Sequence, residues 1–418
     1  MSELEFQELI QAGHGRAIVY AQEHDVSEFR EVILDACLHC YALEPSFEGT
    51  RADYMWELVQ RTPDREFYEE QVIESLRKGG DDWSAAQRFH LAALMALAGN
   101  DRARRAVYDN FKPGPQHGDQ IARELLLLDG LPGLLLAAAK IGELLLHYAG
   151  EVKHGMLWFD ATERFGEAVA REALTEAATT DARIAAFLAA VEAESARDYR
   201  DTTTGLTYAE LCPLLGGLSA QRLRAWGAKA TPNELEAAAR ALVATDDPED
   251  QLRHLRIFAR RPFPFEPGLL LRLARSSETE LAEAACLAAS QICHPAVREL
   301  ALALMADHRL GREWAIDMLS ENVEPGDHEL ALHWFASEPD RQARHRLGIH
   351  LESFWERYPK PELEVEMLET VYRRGPCCFC RTDTVERLME LGELSPEMRR
   401  ECAHDAEDEV RELVLPLM

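Results

Sequence analysis

The chain lacks a long apolar run, a glycine-rich phosphate loop and any sustained alternation of apolar with polar residues. Its greasiest stretch, Leu125 to Tyr148, is broken by Asp129, Gly130, Pro132, Gly133, Lys140 and Glu143. A membrane span needs about 20 mostly apolar residues in succession, so this stretch reads as two buried helices around a turn. Without alternation there is no strand signal. The N-terminal MSELEFQELIQ is acidic and amphipathic, where a secretory leader runs from basic to apolar. Basic residues are scarce too. Lys and Arg total 45 against 74 Asp and Glu, a formal net charge of −29. Such a surface repels a phosphate backbone unless its cations gather in one groove. Two short basic clusters exist, at Arg102, Arg104 and Arg105 and at Arg256, Arg260 and Arg261. Neither is interleaved with the aromatics that stack on single-stranded bases. Nucleic acid and membrane are therefore not expected partners, and a basic protein or peptide is. Nine cysteines, an odd and scattered set, suit a reducing cytoplasm better than a disulfide framework.

What is present is helical grammar. The 47% hydrophobic and 28% charged fractions are those of a folded chain, and Ala, Leu, Glu and Arg are strong helix formers. Between Ser276 and Leu319, Ser277 with Glu280 has the spacing of a capping box. It opens a stripe at Leu281, Ala285, Ala288 and Ile292. His294-Pro295 breaks and restarts the chain. Stripes at Val297, Ala301, Leu304 and Met305, then at Trp314, Ile316 and Leu319, follow. Short helices with small inner residues must stack on neighbours to be buried.

The same punctuation marks helix starts at Ser219, Thr231-Pro232, Asp247-Pro248, Pro295, Pro339, Pro361 and Ser395-Pro396. Helix pairs then recur at roughly 30–40 residues, the range of helical repeats. Earlier helices are expected over Glu3–His24, broken at Gly13-His14-Gly15, after Ser27, over Arg51–Val59 and from Ser84, with Gln87 completing a capping box. Two more are expected over Trp158–Ala178 and Thr180–Ala196. The polar run Tyr199-Arg200-Asp201-Thr202-Thr203-Thr204-Gly205 has no stripe. The expected division is an N-terminal helical array at 1–198, a joint at 199–206 and C-terminal repeats at 207–418. The fold class is all-α, an α-solenoid of stacked antiparallel helix pairs.

A turn followed by Val-Arg and a small-residue stripe occurs in His294-Pro295-Ala296-Val297-Arg298-Glu299-Leu300-Ala301. It occurs again in Asp405-Ala406-Glu407-Asp408-Glu409-Val410-Arg411-Glu412-Leu413. This pattern resembles the HEAT and armadillo-type repeats of bacterial helical-repeat proteins. The resemblance implies structural roles for Arg298 and Arg411, each bonding turn carbonyls or an acidic residue of the adjacent repeat. It also implies a scaffold or adaptor. A fold of this kind does not determine a chemistry.

Few residues suggest chemistry. Cys377 and Cys380 have the gap of a zinc knuckle or redox pair, and Cys402 with His404 lies downstream. Buried packing thiols are the stronger reading, so no metal or cofactor is expected. Cys37 and Cys40 share a stripe with Ile33 and Ala36 and read as core. His328 with His333, and His345 with His350, are five residues apart, whereas one helix face wants three or four. Paired acids read as solvated faces. The seven tryptophans read as packing residues, or as anchors if exposed. No serine elbow or His-Glu-x-x-His occurs. The expectation is a non-catalytic protein-binding scaffold. Two alternatives stand beside it: a HEAT-like DNA glycosylase, which needs a basic groove with tryptophan and aspartate, and a zinc- or thiol-dependent regulator using Cys377, Cys380 and Cys402.

Overall fold

A computed structural model describes residues 1–148, 151–195, 203, 205–306 and 313–415. Within them the chain is all-α, with helices joined by short 3-10 turns and no strand. No described helix is long and apolar enough to cross a membrane. Helix starts follow local chemistry. Thr207 with Glu210 and Thr231 with Glu234 form reciprocal capping boxes, each satisfying two backbone N–H groups that a helix leaves open. Ser219, Asp247 and Ser395 cap their helices with side-chain oxygens. Pro232, Pro248, Pro295, Pro361 and Pro396 are each a first helical residue, where a missing N–H costs nothing.

Several local expectations are corrected. Ser277 makes no capping box: the helix runs Thr279–Ala289 with Glu278 at its cap and no side-chain bond there. Asp82, not Ser84, caps the helix Trp83–Leu97. Ser84 Oγ instead accepts the Cys40 N–H. Gln87 is fully buried and donates to the carbonyls of Ala36 and His39 while its oxygen accepts from Arg51 N. The helix expected over Trp158–Ala178 is two, Gly155–Phe165 and Glu167–Ala178. Gly166 divides them at φ +80°, a conformation that suits a residue without Cβ. Cys40 lies past the end of its helix at Leu38.

The chain forms two compact units, Met1–Asp198 with Pro376–Met418, and Tyr199–Gly375. The last segment, expected to continue the C-terminal repeats, instead packs with the N-terminal helices. Helix Pro396–Cys402 lies on Arg16–Glu23, and Cys378–Leu391 lies on Pro45–Glu48. Ala406 N donates to Gly13 O at 2.9 Å, and Arg16 pairs with Glu401 at 2.7 Å. Of the expected joint, Tyr199, Arg200, Asp201, Thr202 and Thr204 lie outside the described residues.

Within the first unit, helices Ala52–Val59, Trp83–Leu97, Gly118–Asp129 and Gly155–Phe165 contact one another in succession. In the second unit, Ala220–Lys229, Pro248–Ile257, Thr279–Ala289, Glu313–Ser320 and Arg341–Arg357 do the same. In the second unit these are next-but-one neighbours along the chain, so one layer of helices is built from alternate elements. Their inner faces carry small and branched residues, for example Ala282, Ala285, Ala288 and Leu281, all buried. Such faces let backbones approach closely. A Cβ on Gly227 would meet the Ile257 carbonyl oxygen at 1.9 Å.

Candidate functional site

Three helices of the first unit, alternate along the chain, line a cleft of about 210 Å³. Helix Trp83–Leu97 supplies His90, Gly118–Asp129 supplies Arg123, Glu124, Leu126 and Leu127, and Gly155–Phe165 supplies Asp160 and Arg164. Glu124 is carried inward because its helix buries a wide face, with Ile121, Ala122, Leu125 and Leu126 around it. The third helix is fastened to the second by Asp119, which is buried and accepts the Met156 N–H at 3.2 Å. Asp160 is thereby set opposite Arg123.

The charges are unevenly matched. The Glu124 side chain is 2% exposed, and its nearest cationic neighbour is His90 Nδ1, 3.8 Å from Oε1. Its Oε2 has no hydrogen-bond donor. His90 Nε2 lies 3.4 Å from Asp53 Oδ2, and Thr50 Oγ1 lies 3.5 Å from His90 Nδ1. The imidazole is thus held between a buried and an exposed carboxylate. Arg123 Nε approaches Asp160 Oδ2 to 3.1 Å, close enough for an ion pair but without the alignment of a directed hydrogen bond. Burial pushes the Glu124 carboxyl above its usual range. His90 and Arg123 oppose that rise, and Asp53 and Asp160 add to it. Asp160 is pushed up by burial and by Asp119, against Arg123 and His90. Two carboxylates thus sit in a half-desolvated cleft that Arg123 and Arg164 also line, and at both acids burial outweighs the attraction of the neighbouring cations.

The second unit has a groove of about 290 Å³ with Arg224, Arg256, Glu280, Glu283 and Trp314 on an apolar floor of Leu252, Leu255 and Leu287. Arg256 is already paired with Glu280 at 3.3 Å. Burial, with Glu313 beside it, pushes the Glu283 carboxyl up. The two arginines of this groove are matched by two glutamates.

The cysteines expected to act together converge only in part: the Cys377 and Cys380 sulfurs lie within 4.8 Å of each other. Cys377 caps helix Cys378–Leu391, its sulfur accepting the Cys380 N–H at 3.4 Å. Cys402 is fully buried. His404 is committed to Glu57, Nδ1 to Oε1 at 2.6 Å. Cys377, Cys380, Cys402 and His404 thus form no common ligand group among the described residues. Cys378 donates to Glu48 Oε2 at 3.2 Å. Burial pushes this thiol, like Cys37, well above its usual range.

Arg298 donates to both oxygens of Asp327, at 2.6 and 2.9 Å, and to the Asn322 carbonyl at 2.9 Å. Arg411 donates to the Asp405 carbonyl at 2.5 Å and pairs with Asp408. All seven tryptophans are buried or half-buried. Sequence reasoning passed over His90, Glu124 and Asp160. The available signal was Glu124 itself, a charge set inside the apolar run Ile121 to Leu128. No protein-family description, curated protein or solved structure matches the chain.

Proposed function

We propose that the chain is a HEAT-like α-solenoid working as a non-catalytic cytoplasmic scaffold that holds a basic protein or peptide. Stacking of alternate helices supports the solenoid reading, since repeat arrays bury each unit against its neighbours. The bonds of Arg298 to Asp327 and the Asn322 turn match the role the repeat resemblance assigns to that arginine. One observation carries the binding role: the Glu124 carboxylate is buried against an open cleft with Oε2 lacking a donor. A buried acceptor without a partner costs about 1–3 kcal/mol, more when charged. A cationic partner group supplies the missing donor. The net charge of −29 steers such a partner to the surface, an effect that salt screens.

The glycosylase-like reading is disfavoured by the second-unit groove, where Glu280 and Glu283 offset Arg224 and Arg256 beside Trp314. His404 as a zinc ligand is disfavoured because its Nδ1 faces Glu57 and its Nε2 faces Gln22, and the burial of Cys377 and Cys402 weighs against reactive thiols there. The test is retention of native lysate proteins on the immobilised chain at low and high salt, beside an unrelated helical protein of similar acidity. The expected result is a basic protein retained by this chain alone and released by salt. Retention of the same proteins by both columns, or of none, overturns the scaffold reading.

A further inference from the structure

We propose that the cleft among helices Trp83–Leu97, Gly118–Asp129 and Gly155–Phe165 receives one basic side chain of the partner, an ammonium or guanidinium on an aliphatic stem, with Glu124 and Asp160 as its acceptors. The inference rests on the scaffold reading and names what that scaffold grips.

Size comes first. At about 210 Å³ the cleft is smaller than the ~300–1,000 Å³ that holds drug-sized ligands. One long side chain fits that scale, and a folded segment does not. Chemistry comes second. The buried Glu124 Oε2 has no donor, and Asp160, which also lines the cleft, has at Oδ2 only the unaligned Arg123 Nε at 3.1 Å. Ammonium offers three N–H donors and guanidinium five, so either can serve two carboxylates at once. The Leu126 and Leu127 wall suits the methylene stem, which long basic residues bury while their charged heads seek polar partners.

Other occupants fit less well. An anion entering the cleft would meet the Glu124 and Asp160 carboxylates, and Arg123 already faces Asp160. A divalent metal wants ligand atoms at about 2.0–2.6 Å from one point. His90, Glu124 and Asp160 do not converge into such a set among the described residues. Burial is the first cause of the upward push on both carboxyl groups, and an incoming organic cation opposes it.

The test is calorimetric or NMR titration of the full chain with four probes: the N-acetyl methylamides of lysine, arginine and norleucine, and spermidine. Wild type, Glu124→Gln and the exposed-site control Glu236→Gln are compared, with thermal melts confirming that each is folded. The expected result is saturable binding of the lysine or arginine probe, none of norleucine, and at least tenfold weakening in Glu124→Gln alone. The inference is overturned if wild type binds neither basic probe, if norleucine binds equally, or if Glu124→Gln binds like wild type. Binding of spermidine without either amino-acid probe marks a free-polyamine site and also overturns it.

The scaffold reading fails separately. A chain that binds the lysine or arginine probe but retains no basic protein keeps the cleft assignment and loses the scaffold. A Glu124→Gln chain that still retains the salt-sensitive partner undiminished loses the cleft assignment and keeps the scaffold.

Discussion

Arg381 and Asp405 form an ion pair at 2.6 Å with side chains 1% and 0% exposed. The same guanidinium donates to the Ala12 carbonyl at 3.2 Å, so the pair fastens the last helices of the first unit to its first turn. Burial pushes the Asp405 carboxyl up even with Arg381 beside it. The pair therefore specifies where the segment docks more than it stabilises the fold. Removing one member is another matter, because it strands a buried charge. Asp405→Ala should cost about 3–5 kcal/mol, read as an earlier urea midpoint for the first unit. A loss under about 1 kcal/mol would place the energetic weight of this junction elsewhere.

Gly13 offers a sharper test of the same junction. It sits at φ +64°, and a Cβ there would lie 1.9 Å from Arg51 Nη1 and 2.4 Å from the Ala406 Cβ. Gly392 is also left-handed, at φ +75°, with nothing within 4 Å. Gly392→Ala should therefore cost only backbone strain, about 1 kcal/mol, and Gly13→Ala about 3 kcal/mol once crowding is added. Equal thermal shifts for the two variants would show that the Ala406 contact does not confine Gly13.

Glu124 should reveal itself through pH. Its carboxyl titrates above the usual range because burial disfavours the charge. A raised acid contributes stability that is complete below the unfolded value, about 4.3, and is lost as pH climbs through the folded value. Asp160 has the same sign. Glu124→Gln should thus be more stable than wild type at pH 7.5, by about 1 kcal/mol, with the gap closing toward pH 4. Melting curves of both proteins across that range are the measurement. A variant less stable at every pH would mean that the carboxylate serves packing rather than a ligand.

The cysteines should react by exposure. Cys212 and Cys293 are exposed, while Cys37, Cys286, Cys377, Cys378 and Cys402 are buried. Alkylation of the native chain, read by peptide mass, should modify Cys212 and Cys293 first. Cys378, buried with its thiol pushed up, should label only on unfolding, since the thiolate is the reactive form. Early labelling of Cys377 or Cys402, which are also buried, would restore the thiol-regulator reading.

Arg298 should matter to the second unit. It bonds two oxygens of a buried Asp327 and a turn carbonyl. Arg298→Ala leaves that carboxylate without its cation and should cost about 3 kcal/mol, seen as lost amide-exchange protection around Pro295–Ala306 and Asp327–Ser337. Unchanged exchange at both helices would deny the tie.

What the sequence by itself determined is local. Thr231 three residues before Glu234, and prolines at helix starts, act within one turn of backbone, so their signals are contiguous and readable. The capping expectation at Ser84 and Gln87 failed for the opposite reason. Gln87 satisfies carbonyls about fifty residues away, and that tertiary demand outweighs a cap worth about 1 kcal/mol. Only tertiary structure decided the docking of Pro376–Met418 with the first helices and the cleft of His90, Glu124 and Asp160. Each of these three residues stands on a different helix, and alone each reads as an ordinary polar position. Their character comes from desolvation and from one another's charge, which exist only after the helices stack. A stripe and a cap belong to one segment, whereas burial and electrostatic pairing belong to the assembled chain.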